Sequence, residues 1–526
     1  MPANGEMARH AALVTALRRQ LRATTGRPVT LVQTHISSVL LAGEHAYKLK
    51  KPVAFGFVDF GTLEARRRCC EEELRLNRRT APQIYLDLVR VTGTVEAPRI
   101  GGRAPAIEYA VRMRRFATRD LADRRARAGR LNAVHVDRLA EAVARFHAAA
   151  APAPAGHGAP EKVLRWAREN FALCLLRLDD EPRRARLQKL AQWTEDEFRA
   201  RAGWFAARQA GGFIRECHGD LHLANIVLLD ELPVPFDGIE FNPELRFIDV
   251  ASDIAFTFMD LIEHGLPRLA WRFVDRVLAA SGDYALLGGL RFYAVYRALV
   301  RAKVSLIRAH QPDAGAAERR RAAGAFARDL ALAERLAVAP SPVLVAVGGL
   351  SGSGKTTVAG LLLEHLGAVR VRSDVERKRL AGQAAGARKS AAFGAGLYSP
   401  EMTARTYERL HEVAATVLQA GYPVVVDAAM LKRAEREALR ALALKLDVRG
   451  ECLWCEAPPA TLRARIARRQ ALAADASDAT LAVLEMQRGF VEEPAAGEAA
   501  LRLDTRMTRK RLDAEVERIA AWLRKR

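Results

Sequence analysis

The 526-residue sequence predicts a two-lobed α+β segment followed by a three-layer α/β segment built on a parallel sheet. Three observations carry this. β-rich text at 29–60 gives way to mostly helical text from 120 to 336. From 343 onward, short continuous apolar strands alternate with helices, the pattern of a parallel sheet. An Ala-Pro-Ser-Pro stretch at 339–342 separates the two patterns. Cores seldom grow past about 300 residues, so the expected division is 1–338 and 339–526.

The elements follow in order. Residues 1–25 read as an amphipathic helix with Leu13, Leu17 and Leu21 on one face. Strands are expected at 29–32, 39–42 and 45–49, with Gly43-Glu44 closing a hairpin between the last two. A helix at 63–79 and strands at 86–95 and 106–112 come next. Residues 120–210 read as helices, 213–250 as short strands and loops, and 254–336 as helices again. The second segment opens with a strand at 343–347, a glycine-rich loop and a helix at 358–366. Further strands are expected at 369–371, 424–426 and 453–456.

Half of the residues are hydrophobic and 27% are charged, which excludes wholesale disorder. No apolar run approaches the ~18 residues of a membrane span, and the first residues lack a signal-peptide core. A soluble, cytoplasmic protein is expected, with no membrane partner. The formal charge is +22, from 83 basic and 61 acidic side chains. It is spread in proportion to length, with +8 in 341–526, which disfavours a nucleic-acid tail and suits nucleotides or other anions. Six scattered cysteines make no disulfide framework. Cys452 and Cys455 form a CxxC, but on a strand residues i and i+3 face opposite sides, so structural thiols are expected.

Gly349-Leu-Ser-Gly-Ser-Gly-Lys355-Thr356 fits the phosphate-loop template, placed between an apolar strand and a helix. Backbone N–H groups across Gly349, Ser351, Gly352, Ser353 and Gly354 would cradle phosphates, aided by the helix N-terminus. Lys355 would reach the β- and γ-phosphates, Thr356 would ligate Mg²⁺, and Thr357 completes the ATP-binding stretch. Asp374, at the end of the next strand, could accept a hydroxyl proton. Arg377, one turn on, could hold an anionic acceptor. Asp427 closes another strand as a metal-side carboxylate. Arg463, Arg465, Arg468 and Arg469 crowd one helix, where Arg465 and Arg468 are expected to neutralise the transferring phosphate as part of a lid. This segment resembles small P-loop kinases: the gluconate kinase, adenylylsulfate kinase, polynucleotide kinase and zeta-toxin group. The resemblance rests on the phosphate loop, Ser373-Asp374-x-x-Arg377, Val426-Asp427-Ala428, and Ala476-Ser477-Asp478-Ala479 with Gln487 beyond. It implies that Asp374 helps activate the acceptor. Relatives carry a polar residue soon after the Asp-Ala pair, where this chain has Ala429 and Met430.

In the first segment, His218-Gly-Asp220-Leu-His222-Leu-Ala-Asn225 places a carboxylate and a carboxamide five residues apart. That suits phosphoryl transfer, with the carboxylate orienting the hydroxyl proton and the carboxamide oxygen holding Mg²⁺. A zinc pair from His218 and His222 would need a helix, and Gly219-Asp220 argues for a loop. The octet resembles the catalytic loop of aminoglycoside phosphotransferases and of choline- and fructosamine-kinase-like enzymes. The resemblance covers roughly 25–310 and implies a bilobal, protein-kinase-like domain with Asp220 as base and Asn225 as metal ligand. Glu240 falls where that family has a metal-binding Asp, and Asp237 is a nearby substitute. Asp249 and Asp253 match a supporting pattern. The kinase-like fold needs a strand lysine paired with a helix glutamate. Lys48 is the choice with Lys50 the alternative, since both share a face, and Glu72 is the choice with Glu73 close behind. Tyr293, Tyr296, Arg297, Arg301 and Lys303, on a helix at 291–306, either line an acceptor cleft or pack the core.

The whole order resembles bacterial bifunctional aminoglycoside phosphotransferase/ATP-binding proteins. That resemblance implies a two-site kinase using ATP and Mg²⁺ on hydroxyl acceptors, small molecules first. The alternatives are a nucleic-acid 5′-hydroxyl kinase and a degenerate N-terminal segment that regulates the P-loop.

Overall fold

A computed structural model of the chain describes residues 3–34, 36–55, 58–311, 315–383, 399–472 and 480–525. The stretch 476–479, singled out above, lies outside them. The chain separates into two compact units, one of residues 1–173 and 195–260, the other of residues 174–194 and 261–526.

The first unit is built on a six-stranded antiparallel sheet. Its spatial order is Thr30–Gln33, Ser37–Ala42, His45–Lys50, Glu108–Arg114, Tyr85–Gly93 and Pro98–Ile100. The alternation along His45–Lys50 decides what each face meets. Tyr47 and Leu49 pack with Leu13, Leu17 and Leu21 of the helix Ala3–Thr25. Ala46 packs on the other face, with Cys70 and Leu74 of the helix Leu63–Asn77. Lys48 and Lys50 share that second face, so the strand's own period aims both ammonium groups at one helix. Two short antiparallel pairs carry the loops of interest: Ile214–Glu216 with Phe247–Asp249, and Ile226–Leu229 with Leu232–Pro235. The helix Val250–Glu263 runs on from the first pair and is almost wholly buried over its residues in this unit.

The second unit holds a five-stranded, all-parallel sheet. Its order is Val369–Arg372, Val424–Asp427, Val343–Gly348, Arg449–Glu456 and Leu501–Asp504. The central strand Val343–Gly348 is buried along its whole length, as expected of a parallel strand covered on both faces. The helices Lys355–Leu366 and Arg509–Leu523 cover one face through Val358, Leu362, Val516 and Leu523. The helices Pro267–Ser281, Leu287–Ala309 and Ala316–Ala337 belong to the same unit. Pro267–Ser281 packs on the phosphate-loop helix, where Arg268 and Arg272 each reach Glu364 at 2.9 Å. It also meets the edge strand, where buried Asp275 accepts from both the backbone N–H and the guanidinium of Arg370 at 3.1 Å. Tyr293 and Arg297 are buried in the helix Leu287–Ala309, and Tyr296, Arg301 and Lys303 are partly buried on it. Cys452 and Cys455 are unpaired thiols on the strand Arg449–Glu456, and burial pushes them up to about 11 and about 12.

No helix among the described residues is long and apolar enough to cross a membrane.

Candidate functional site

In the first unit, Lys48 and Lys50 converge on a single helix carboxylate. Lys48 Nζ lies 2.7 Å from Glu73 Oε1, and Lys50 Nζ lies 2.5 Å from Glu73 Oε2. The helix glutamate on the strand lysines is therefore Glu73 and not Glu72. Glu72 points instead to Arg75 at 2.7 Å and Arg246 at 2.8 Å. The reason is helix rotation: Arg66, Cys70, Glu73, Leu74 and Asn77 form the buried face at 3.6-residue spacing, and Glu72 lies off it. Burial alone would raise the Glu73 carboxyl, but the two lysines outweigh it and hold it at about 2. Lys48 is held above its ordinary value, because Asp237, Glu73 and Glu240 together outweigh burial.

Lys48 has a second partner in Asp237, at 2.5 Å, and Lys50 has one in Glu240. Asp237 keeps 39% of its side chain exposed, whereas Glu240 keeps 4%. Expected as a metal ligand, Glu240 is thus enclosed and matched by a buried lysine, and the accessible carboxylate of this loop is Asp237. Asp237 adopts φ +63°, an unusual value for a side-chain-bearing residue. Its N–H donates to the Tyr85 hydroxyl at 3.1 Å, and the next N–H, of Gly238, donates to Asn77 Oδ1 at 2.8 Å.

The octet 218–225 forms a loop that ends in one turn of 3₁₀-helix. Asn225 Nδ2 donates to Asp220 Oδ2 at 2.9 Å and to the Asp220 carbonyl at 3.0 Å, which fixes the carboxylate. His222 Nε2 stands 3.4 Å from the same Asp220 oxygen. His218 Nε2 donates to the Phe236 carbonyl at 2.9 Å and Nδ1 accepts from Asp220 N at 3.3 Å. That pairing requires the neutral ring, in keeping with burial holding His218 below its ordinary value. His218 therefore ties the octet to the Asp237 loop and is not part of a zinc pair. Gly219 takes φ +83°, and a Cβ there would meet the Leu245 carbonyl at 2.7 Å.

Three buried side chains of one helix hold the octet from behind. Asp253 accepts from the N–H groups of His218 at 2.8 Å and Gly219 at 2.9 Å. The Thr257 hydroxyl donates to the Leu221 carbonyl at 2.7 Å, and Asp260 accepts from Leu223 N at 2.7 Å. Asp249 is spent elsewhere, in a buried two-point pair with Arg208.

In the second unit, the phosphate loop leaves the buried strand and enters the helix Lys355–Leu366. Gly349 and Gly352 have φ of +132° and +83°, and a Cβ on either would lie within 2.7 Å of a carbonyl oxygen. Such close backbone approach is what a phosphate cradle requires. Ser351 N donates to Gln487 Oε1 at 2.9 Å, so Gln487 braces the loop. Lys355 Nζ curls back to the Leu350 carbonyl at 3.0 Å. Desolvation lowers Lys355 against the opposing pull of Asp427. Asp427 stands beside Val347 in the sheet register, and burial raises its carboxyl despite Arg372, Arg370 and Lys355. Its Oδ2 is buried without a hydrogen-bond partner. Thr356 is partly buried in the first helical turn and Thr357 is exposed. Asp374 opens the helix Ser373–Leu380, and Arg377 follows one turn on, within electrostatic reach of Tyr407.

The arginine cluster divides. Arg465 donates to the Gly352 carbonyl at 3.2 Å and to both oxygens of Thr505, at 2.8 and 2.7 Å. It supports the loop from outside, while Arg463 pairs with Glu485 at 2.9 Å. Arg468 is exposed on the same helix and Arg469 is partly exposed.

Residues 344–494 match the AAA domain family. Rv2004c of Mycobacterium tuberculosis (strain ATCC 25618 / H37Rv) is 32% identical over 481 residues, which span 91% of this chain and 93% of that protein. Mb2027c of Mycobacterium bovis matches with the same identity and coverage. The chain belongs to the family of these mycobacterial proteins. Among solved structures, a choline/ethanolamine kinase family protein from Mesorhizobium loti aligns over 61% of this chain and 95% of its own, at 14% identity and a TM-score of 0.37. A gluconokinase from Sinorhizobium meliloti 1021 aligns over 35% of this chain and 94% of its own, at 20% identity and a TM-score of 0.26.

Three residues of these sites went unnoticed in the sequence. Arg372 lies between Asp374 and Asp427, at 3.8 and 3.7 Å, and its only sequence signal is an arginine alternating with valine in a buried strand. Thr257 and Asp260 were signalled by polar residues at i, i+4 and i+7 from Asp253 in an otherwise apolar helix.

Proposed function

We propose that this chain is an ATP- and Mg²⁺-dependent phosphotransferase with two nucleotide sites, one in 1–338 and one in 339–526, each moving a γ-phosphoryl group to a hydroxyl of a small molecule. The observation that carries the proposal is that each site combines a lysine with separate carboxylates on different elements. Phosphoryl transfer asks the protein mainly to position reactants and neutralise charge.

In the N-terminal site, Lys48 would hold the nucleotide phosphates, steadied by Glu73. Asp220 would accept the acceptor's hydroxyl proton. Asn225 and Asp237 offer hard oxygen ligands that suit Mg²⁺. The intact Asp220–Asn225 and Lys48–Glu73 pairs support catalysis over a degenerate regulatory role. In the second site, the loop 349–354 would wrap the phosphates and Lys355 would reach the transferring group. Thr356 and Asp427, whose buried Oδ2 accepts no hydrogen bond, fit a metal. Asp374 would serve as base, Arg377 would bind the acceptor, and Arg468 would act from the lid. Bound Mg²⁺ would supply charge neutralisation at the β- and γ-phosphates.

The test is an acceptor screen by ATP consumption with wild type, Asp220→Asn and Lys355→Ala. Each substitution is expected to abolish turnover of one acceptor class and leave the other. Unchanged turnover of every acceptor in Asp220→Asn would remove the N-terminal half of the proposal. Unchanged turnover in Lys355→Ala would remove the other half.

A further inference from the structure

We propose that Lys50 and Glu240 form a buried charge clamp that sets the position of the Lys48–Glu73 pair, so that Glu240 is a positioning residue. The inference rests on the N-terminal nucleotide site proposed above and assigns that site a second lysine–carboxylate pair.

Five side chains form one chain of alternating sign: Asp237, Lys48, Glu73, Lys50 and Glu240. Glu73 sits at its centre and gives one carboxylate oxygen to each lysine. The two ends lie three residues apart on one loop. That loop therefore grips the strand His45–Lys50 at two of its helix-facing positions, and the strand grips the helix Leu63–Asn77 through Glu73. Three segments far apart in sequence are locked by a single network.

The outer and inner halves of this network differ in surroundings. Asp237 and Lys48 stand on the accessible side, with Asp237 substantially exposed. Lys50 is fully enclosed, with its ammonium 5.5 Å from the Phe60 ring centroid and with Cys70 nearby. Glu73 is fully buried as well. A lysine enclosed in this way needs compensating carboxylates, and one carboxylate shared with Lys48 is not enough. Glu240 supplies the remainder. Without it, Lys50 would draw Glu73 to itself, and the Glu73–Lys48 contact, which orients the outer ammonium, would weaken. Glu240 thereby acts on the nucleotide through Lys50, Glu73 and Lys48, all three buried, and never touches it.

This role leaves a signature that a metal ligand would not. An orphaned buried lysine is relieved by removing the lysine itself, whereas a lost metal ligand is not restored by a change at position 50. The test uses full-length Lys355→Ala protein, in which the phosphate-loop site is disabled. Titration calorimetry then measures ADP binding with and without Mg²⁺ in that background, in Glu240→Gln, in Lys50→Met and in the double variant. Thermal midpoints are recorded for each. Each single substitution is expected to weaken ADP by roughly tenfold, by the same factor with and without Mg²⁺, and to lower the midpoint. The double variant is expected to recover most of both losses, as coupled neighbours do. Single variants that fail to fold while the double variant folds support the clamp equally. A loss in Glu240→Gln confined to the Mg²⁺ titration, with no recovery in the double variant, would overturn the clamp. So would wild-type behaviour in both single variants. If the background protein binds no ADP at all, the nucleotide reading of this site fails. The clamp is then judged on the midpoints alone, and a double variant no more stable than the singles refutes it.

Discussion

Replacing Asp253 by Asn is expected to damage the octet 218–225 without touching any residue in it. Asp253 is fully buried, and its carboxylate accepts from two successive N–H groups, those of His218 and Gly219, and from His147 Nε2 at 3.2 Å. An asparagine has one acceptor oxygen where the aspartate has two. Turned so that its oxygen faces His218 N and His147, it sets an N–H₂ donor against the Gly219 N–H. Turned the other way, it opposes the His218 N–H. The first orientation is better and still orphans one buried donor, worth about 1–3 kcal/mol, while the surviving bonds lose their charge assistance, worth about 1 kcal/mol more. The expected cost is therefore about 3 kcal/mol in the first unit. The assay is hydrogen exchange at the amides of 218–220 combined with calorimetric unfolding, since a chain of two compact units does not unfold in one step. Exchange at Gly219 should accelerate by roughly two orders of magnitude. Turnover assigned to Asp220 should fall with it, because Asp220 is the next residue along. Native-like protection at Gly219, with a stability change under about 1 kcal/mol, would refute the reasoning.

Other consequences are equally direct. Gly349→Ala would place a Cβ 2.4 Å from the Cys455 carbonyl, so nucleotide binding at the phosphate loop should be lost in a filter-binding assay while the first unit's thermal transition stays put. His10, buried against Ser38 Oγ at 3.0 Å, is lowered to about 4 by burial first and by Lys51 and Arg66 next. The unfolded chain takes up that proton more readily, so the contribution is intact above about pH 6.5 and is lost as pH falls toward 4, by about 3 kcal/mol at most. His10→Gln should flatten denaturation curves across that window. A fragment 339–526 leaves Arg370 without Asp275 and Glu376 without its 3.0 Å bond to the Tyr284 hydroxyl. The same deletion removes Trp271, which packs edge-on against Tyr422 at 5.5 Å, and so uncovers apolar surface; this fragment should melt well below one that begins at 261, by differential scanning fluorimetry.

The parts of the fold that were legible are those set by local rules. Apolar runs bounded by glycine and proline located the central strand and its loop, and period 2 put Lys48 and Lys50 on one face. The choice of Glu73 was within reach, since Arg66, Cys70, Glu73 and Asn77 trace a helical stripe. The spacing to Arg75 pointed to Glu72, which that arginine does bind. Enclosure is a tertiary property: nothing local distinguishes the buried Glu240 from the accessible Asp237, because the difference is made by strand residues 190 positions away. For the same reason the role of Arg465 was hidden. Its neighbours in sequence are a basic cluster, and its partners, Gly352 and Thr505, arrive from distant loops. The strand Leu501–Asp504 escaped notice because charge alternates with leucine at a sheet edge, where one side needs no apolar cover.

The central claim is that one chain carries two independent nucleotide sites. Calorimetric titration of full-length protein with a non-hydrolysable ATP analogue and Mg²⁺ tests it most directly. Wild type should bind two equivalents, Lys48→Met and Lys355→Ala one each, and the double variant none. A single equivalent in wild type, abolished by Lys355→Ala and indifferent to Lys48→Met, would contradict the account.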